Sequence, residues 1–298
     1  MNLCGKDLQI RGRAIRVARL AAERYEFLED PAAAIAALRS IRRRIDLFTF
    51  IQPPAQPAPA YHYAMEWDNI AAVPVTTFDC WWKQQINGKT RNMIRRAETK
   101  GVTVREVAFD DELVKGISEI YNEVPVRQGR SFWHYGKPLS AVRAENGTFL
   151  DRSVFLGAFC EGALIGFAKL VSDEQRTQAG LMQILSMIGQ RDKSPTNALI
   201  AHAVRSCADR GIPFLVYANF AYGNKQHDSL SDFKQHNGFL KIDVPRYYVP
   251  LTAAGALALR LGLHHGVAAR VPEPMIAWYR TMRAAWHTAR FQGVKGTS

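Results

Sequence analysis

One stretch of this chain, residues 178–239, constrains its fold more than any other. Two apolar segments, 178–187 (QAGLMQILSM) and 214–218 (FLVYA), read as strands. Between them, 198–210 (ALIAHAVRSCADR) reads as an amphipathic helix stopped by Gly211. The loop that opens this helix, 188–197 (IGQRDKSPTN), mixes Arg191 and Lys193 with small residues. A polar loop feeding a helix start presents unpaired N–H groups, and two cations beside it favour an anion there. The stretch closes with a short helix ending in Asn237-Gly238-Phe239.

The chain before it divides at a proline-rich segment. Residues 8–10 and 14–20 read as strands around Arg11-Gly12-Arg13, Pro31 starts a helix to about Arg44, and 47–51 is a strand. This predicts a small ββαβ unit over residues 1–51. Residues 52–60 (QPPAQPAPA) hold four prolines and read as an extended linker. Strand and turn follow over 61–75. Two helices occupy 77–101, the second carrying Lys89, Arg91, Arg95, Arg96 and Lys100 around Met93, Ile94 and Ala97. After a strand at 102–107, Asp110 and Asp111 lead a helix through Leu113, Ile117, Ile120 and Tyr121.

Residues 123–138 (EVPVRQGRSFWHYGKP) break periodicity. Long loops rich in functional side chains are usually binding loops, and this one, which also holds Trp133 and His134, offers Arg127, Gln128, Arg130, Tyr135 and Lys137 to an acceptor. A hairpin follows over 153–159 and 163–171 with Gly162 in its turn. Residues 241–243 and 247–251 read as closing strands. The extension 252–298 ends in an amphipathic helix over 272–291, with Met275, Trp278, Tyr279, Met282 and Trp286 on one side, a stripe suited to core or homodimer contact.

Charge supports an anionic partner without choosing one. Lys+Arg 39 against Asp+Glu 27 gives +12, spread along the chain, which suits a phosphorylated cofactor, nucleic acid or anionic lipid. Cys4, Cys80, Cys160 and Cys207 lack metal-ligand spacing and read as reduced thiols of a cytoplasmic protein. The pair His264-His265 has no third ligand at metal spacing, so no metal is expected. No run of about 18 apolar residues predicts a membrane span. No Ser–His–Asp order points to a hydrolase.

From residue 111 to 251 the order is helix, loop, hairpin, strand, loop–helix, strand, helix, closing strands. It resembles the GNAT acyltransferase fold. The residues that carry the resemblance are Arg191-Asp192-Lys193-Ser194-Pro195-Thr196-Asn197-Ala198-Leu199, which are similar to that family's pyrophosphate loop. Ser194 and Thr196 stand where the family has glycine or another small residue. A Cβ there hinders close backbone approach to phosphate. Two further motifs are similar to the Fem-type peptidyltransferases, which take an amino acid from aminoacyl-tRNA. One is Arg91-Asn92-Met93-Ile94-Arg95-Arg96-Ala97-Glu98, continuing to Gly101-Val102. The other is Phe233-Lys234-Gln235-His236-Asn237-Gly238-Phe239.

The resemblance implies an α/β (α+β) fold with a mixed, largely antiparallel central sheet flanked by helices. The GNAT-like domain would span 61–251, with its core at 111–251. It implies N-acyl transfer from acyl-CoA, such as acetyl-CoA, to a small-molecule or peptide amine. Arg191, Lys193, Ser194, Thr196, Asn197 and Asn224 would hold the donor. Glu123 and His134 are candidate bases, Tyr222 and Lys234 further catalytic candidates, and Lys225 and Asp228 would face the acceptor. Two alternatives stay open: a Fem-like transferase using aminoacyl-tRNA, and an idle fold that binds nucleic acid or a protein through its basic helices.

Overall fold

Apolar runs along this chain become strands that share one large sheet. The computed structural model describes residues 1–220 and 229–265. Strands β1 (Asn2–Leu3), β2 (Lys6–Arg11) and β3 (Val17–Leu20) lead to helix α1 (Pro31–Ser40) and strand β4 (Leu47–Ile51). Next come β5 (Ala64–Pro74), the short α2 (Phe78–Cys80) running into a π-helical turn at Trp81–Gln85, and α3 (Gly88–Thr99). They are followed by β6 (Thr103–Val107), α4 (Asp111–Asn122), the short strands β7 (Val126–Arg127) and β8 (Arg130–Ser131), and α5 (Leu139–Asn146). The hairpin β9 (Ser153–Cys160) and β10 (Ala163–Ser172) precedes β11 (Ala179–Ser186), a 3-10 turn at Ile188–Lys193, and α6 (Pro195–Asp209). The remaining elements are β12 (Phe214–Val216), α7 (Ser229–His236), β13 (Leu240–Pro250), α8 (Ala253–Arg260) and a 3-10 turn at Leu263–His265.

Local chemistry accounts for many of these boundaries. Asp30, Asn87 and Asp110 each accept a hydrogen bond from the amide three residues on, capping α1, α3 and α4. The β9–β10 turn needs left-handed backbone at both central residues. Glu161 and Gly162 supply it, with φ of 53° and 81°.

The large sheet runs β1-β2-β3-β4-β13-β5-β12-β11-β10-β9-β6. Its ladders are antiparallel except β3–β4 and β11–β12. This is the mixed, largely antiparallel sheet flanked by helices that the sequence predicts. Strand β4 pairs with β13, and residue 52 continues from it: the Gln52 amide donates to Pro245 O at 3.0 Å. The proline-rich segment that follows is fastened to β13, because Tyr247 Oη donates to Gln52 Oε1 at 2.8 Å and accepts from the Ala60 amide at 2.9 Å. The two closing strands of the sequence reading are one, since the ladder to β5 continues through Val244-Pro245-Arg246.

Helices α3 and α6 cover one face. Leu199, Ile200, Ala203 and Val204 of α6 and Ile94 and Ala97 of α3 join Leu156, Ala158, Ala168 and Leu170 of the hairpin. On the other face of that hairpin, Leu113, Ile117, Ile120 and Tyr121 of α4 pack on Phe155 and Phe167. The helix predicted over 272–291 lies outside the described residues. Among the described residues, no helix is long and apolar enough to cross a membrane.

Two irregularities open the sheet where α6 begins. Strand β11 pairs with β12 only at Ala179↔Leu215 and Gly180↔Val216. Its register with β10 slips between Lys169↔Gln183 and Leu170↔Leu181, leaving Met182 as an extra residue in a bulge. From there to Ser186, β11 keeps β10 as its partner, and its other edge is not laddered to β12.

Candidate active site

The C-terminal ends of the parallel pair β11–β12 gather the loop before α6, the start of α6 and the end of α7. Ser194 stands at the N-cap of α6 with φ 53° and ψ 40°, a left-handed conformation normally left to glycine. Pro195 then occupies the first helical position, so that position has no N–H to offer. Thr196 Oγ1 and Ser186 Oγ lie 2.8 Å apart, tying the helix start to the end of β11.

Several of the loop's amides are already engaged. The amides of Gln190 and Ser194 bond back to Met187 O and Arg191 O. Those of Ile188 and Gly189 donate to the Glu123 carboxylate, at 2.6 and 2.7 Å. Glu123 therefore caps the turn that leads into residues 191–196. With a Cβ on Ser194 and no N–H on Pro195, these residues do not fit a coenzyme A pyrophosphate. Lys193 is also engaged, donating to Cys160 Sγ at 3.2 Å, while Asp192 pairs with Lys100 at 3.1 Å. Arg191 is exposed.

Glu123 is thus a cap, and both of its oxygens are committed. Arg127 stands beside it at 3.3 Å and donates to Ser186 O and Ile120 O at 2.9 and 2.8 Å. Burial, set against the pull of Glu123, lowers the Arg127 pKa. Its guanidinium joins α4 to the end of β11 rather than waiting for an acceptor. The ring of His134 is 4% exposed and packs on Tyr121 and Phe132 at centroid distances of 4.1 and 5.2 Å. Burial and then Lys137 push its pKa down to about 4. This neutral, enclosed ring is a packing group. Lys137 pairs with Glu145 and lies 3.3 Å over the Trp133 ring. Gln128, Arg130 and Tyr135 are exposed on the same loop.

Lys234 is fully buried on α7. Its Nζ donates to Asn219 O, just past β12, and lies 5.0 Å from the Tyr217 ring centroid. Asn197 Nδ2, in the first turn of α6, donates to Asn237 Oδ1 at 3.0 Å, so α7 is held against the loop that α6 opens from. Tyr222, Asn224, Lys225 and Asp228 lie outside the described residues.

Lys169 is a buried polar group that the sequence reading passes over. It is 0% exposed in β10, and its Nζ donates to Asn146 O, Thr148 O and Thr148 Oγ1. Burial lowers its pKa to about 8. The Thr148 hydroxyl in turn meets Met182 Sδ, in the β11 bulge, at 3.7 Å. A lysine inside an otherwise apolar strand, 163–172, is the one sequence signal that could have marked it.

Beside the loop, α3 presents exposed Lys89, Arg95 and Arg96, with exposed Lys100 just past its end, and α3 contacts both α6 and the 3-10 turn. Arg91 instead donates to Trp82 O and Ile86 O at 2.9 and 2.7 Å and holds the preceding turn.

No family model matches this chain, and no curated protein sequence matches it. Solved structures do resemble it. The C-terminal domain (DUF2156) of a putative lysylphosphatidylglycerol synthetase from Agrobacterium fabrum aligns with a TM-score of 0.54 at 15% identity, covering 85% of this chain and 83% of that one. L-PGS from Bacillus licheniformis gives 0.55 at 14%, covering 80% of each. FemX gives 0.55 at 11%, covering 85% and 86%. At such identities the likeness is one of fold, and the fold is GNAT-like.

Proposed function

We propose that this chain is an aminoacyltransferase that moves an aminoacyl group from the ester of an aminoacyl-tRNA to an amine of a small molecule or peptide. One observation carries the choice of donor. The Glu123 carboxylate occupies the Ile188 and Gly189 amides of the turn leading into residues 191–196, where Ser194 carries a Cβ and Pro195 has no N–H to offer a coenzyme A pyrophosphate. A tRNA ester needs no pyrophosphate cradle. It needs a basic surface for the nucleic acid, and exposed Lys89, Arg95 and Arg96 lie on α3, which packs beside this turn. The likeness to FemX and the Phe-Lys-x-x-Asn-Gly-Phe segment support the same reading.

In the reaction, a neutral acceptor amine attacks the ester carbonyl. A C–N bond forms, charge gathers on the carbonyl oxygen, and the ribose oxygen leaves with a proton. Lys234, held at the end of β12, supplies a fixed positive charge near the opening of the sheet, where such a charge favours an oxyanion. The Met182 bulge interrupts the β10–β11 ladder, the kind of irregularity that re-aims backbone groups beside a site. Glu123 and His134 are both engaged in structure, so neither serves as the base.

The test compares a pool of charged tRNA with the same pool deacylated, by filter binding, alongside coenzyme A in a thermal-shift assay. Tighter binding of charged tRNA, with no rise in Tm at millimolar coenzyme A, is the expected outcome. A ligand that binds only the native state must raise Tm. A clear coenzyme A shift without preference for charged tRNA would replace this donor with acyl-CoA.

A further inference from the structure

We infer that Glu66, His264 and His265 form a binding site for a divalent transition metal of the zinc class, on the face of the sheet opposite α6. The residues are far apart in sequence, and the fold brings them together. On β5, Ala71 and Val73 point into the core that α6 covers, whereas Ile70 and Ala72 pack with Val216 and Val244 in a separate cluster. Side chains alternate along a strand, so Glu66 shares the second face. The two histidines sit in the turn Leu263–His265, directly after α8.

The start of α8, which leads to that turn, is held in place from its own side. Gly255 of α8 lies so close to β4 that a Cβ there would stand 1.9 Å from Asp46 O. Thr252 Oγ1, at the N-cap of α8, donates to Asp46 Oδ1 at 2.9 Å.

The geometry at Glu66 is convergent. Nε2 of His264 and Nε2 of His265 approach the same oxygen, Oε1, at 2.9 and 3.2 Å. The three candidate ligand atoms all lie within 4.8 Å of one another. In a tetrahedral zinc site with bonds of about 2.0–2.1 Å, ligand atoms stand roughly 3.3 Å apart, so small side-chain rotations accommodate an ion. The imidazoles lean on each other at 4.0 Å, and Tyr248 meets the His264 ring edge-on at 4.6 Å.

The cation that could otherwise claim Glu66 is directed elsewhere. Arg246 stands directly opposite Glu66 in the β5–β13 register. Its guanidinium goes instead to Glu23 at 3.0 Å and Asp68 at 2.8 Å. Among the described residues His264 Nδ1 has no hydrogen-bond partner, so no neighbouring group at that nitrogen fixes the tautomer of this ring. Two imidazoles and one carboxylate suit Zn²⁺, Co²⁺, Ni²⁺ or Cu²⁺ rather than Mg²⁺ or Ca²⁺. The side chains of His265 and Glu66 are 45% and 40% exposed, which gives an ion access and leaves room for a water in the fourth position. A bound ion would clip the turn after α8 to β5. Its role is structural and independent of the donor site.

The experiment uses the full, untagged chain, stripped with a chelator and titrated with zinc sulfate, then separately with cobalt chloride. One Zn²⁺ per chain is expected, with a rise in Tm that chelator reverses and visible d–d bands for Co²⁺. His265→Ala and Glu66→Gln, both at partly exposed positions, should each weaken Zn²⁺ binding by about tenfold or more while leaving the metal-free Tm close to that of the parent. His62→Ala, an exposed histidine away from this cluster, should bind as the parent does. Absence of saturable binding up to about a hundred micromolar Zn²⁺, far above the affinities of structural zinc sites, would overturn the proposal. So would binding undiminished in both His265→Ala and Glu66→Gln.

Discussion

The side-chain amide of Asn197 donates to the side-chain oxygen of Asn237 at 3.0 Å, joining the first turn of α6 to the end of α7. Asn237 is 1% exposed and is held twice more: its Nδ2 donates to Phe233 O at 2.8 Å, and its carbonyl accepts from Trp81 Nε1 at 3.1 Å. Replacing Asn237 with Ala strips the Asn197 amide of its acceptor inside the protein. The expected cost is about 1–3 kcal/mol, read as a lower urea midpoint. Because both residues serve one contact, Asn197→Ala in the Asn237→Ala background should cost less than it does alone. Fully additive losses would show that the contact does not couple the two helices.

Glu123 caps two amides that would otherwise face an anion. Glu123→Ala is expected to lower stability by about 1–2 kcal/mol, the range for loss of a helix-capping side chain. It should also create a response the parent lacks: millimolar pyrophosphate raises Tm in the variant because the freed amides donate to it. If the parent responds equally to pyrophosphate, Glu123 is not what closes this turn.

The sequence made the central stretch legible because its signals are local. Periodicity placed α6, Gly162 placed the β9–β10 turn, and both were found with shifts of a few residues at the ends. The resemblance of the motifs identified the fold. What stayed hidden depends on distant partners. The loop at 188–197 looked open because its closing group, Glu123, comes from α4's end, 65 residues earlier than Ile188. Arg127 and His134 looked like binding groups because sequence lists polar atoms without saying that Ser186 O, Ile120 O and the Tyr121 ring already hold them. The contact of His264 with Glu66 was hidden for the same reason, since it joins residues 198 apart in sequence.

Lys234 tests the catalytic reading. With its ammonium fixed at the end of β12, Lys234→Met should lower turnover of aminoacyl-tRNA by about 10²–10³, the scale for losing one stabiliser of a developing oxyanion. The position is fully buried, so circular dichroism and the urea midpoint must accompany the rate. Met keeps the length and bulk of the side chain while removing its charge. A folded Lys234→Met protein that turns over at the parent rate would confine Lys234 to a structural role.

His134 predicts a pH dependence with a definite sign. Burial against Tyr121 and Phe132, and then Lys137, depress its folded pKa to about 4, while Glu145 at 3.5 Å opposes the shift. In the unfolded chain the imidazole titrates near 6.5. Between these values the unfolded state binds the extra proton, so this residue's contribution is fully present above about pH 6.5 and is lost as pH falls toward 4. The full swing is about 3.5 kcal/mol at most, from roughly 1.4 kcal/mol per pKa unit. His134→Phe keeps a ring in the cluster and has no proton to take up. Urea midpoints measured from pH 7 down to 4 should therefore fall more steeply for the parent than for the variant, the difference isolating this ring from the carboxylates that titrate in the same range. Equal slopes would mean that the imidazole is as easily protonated in the folded protein as in the unfolded chain.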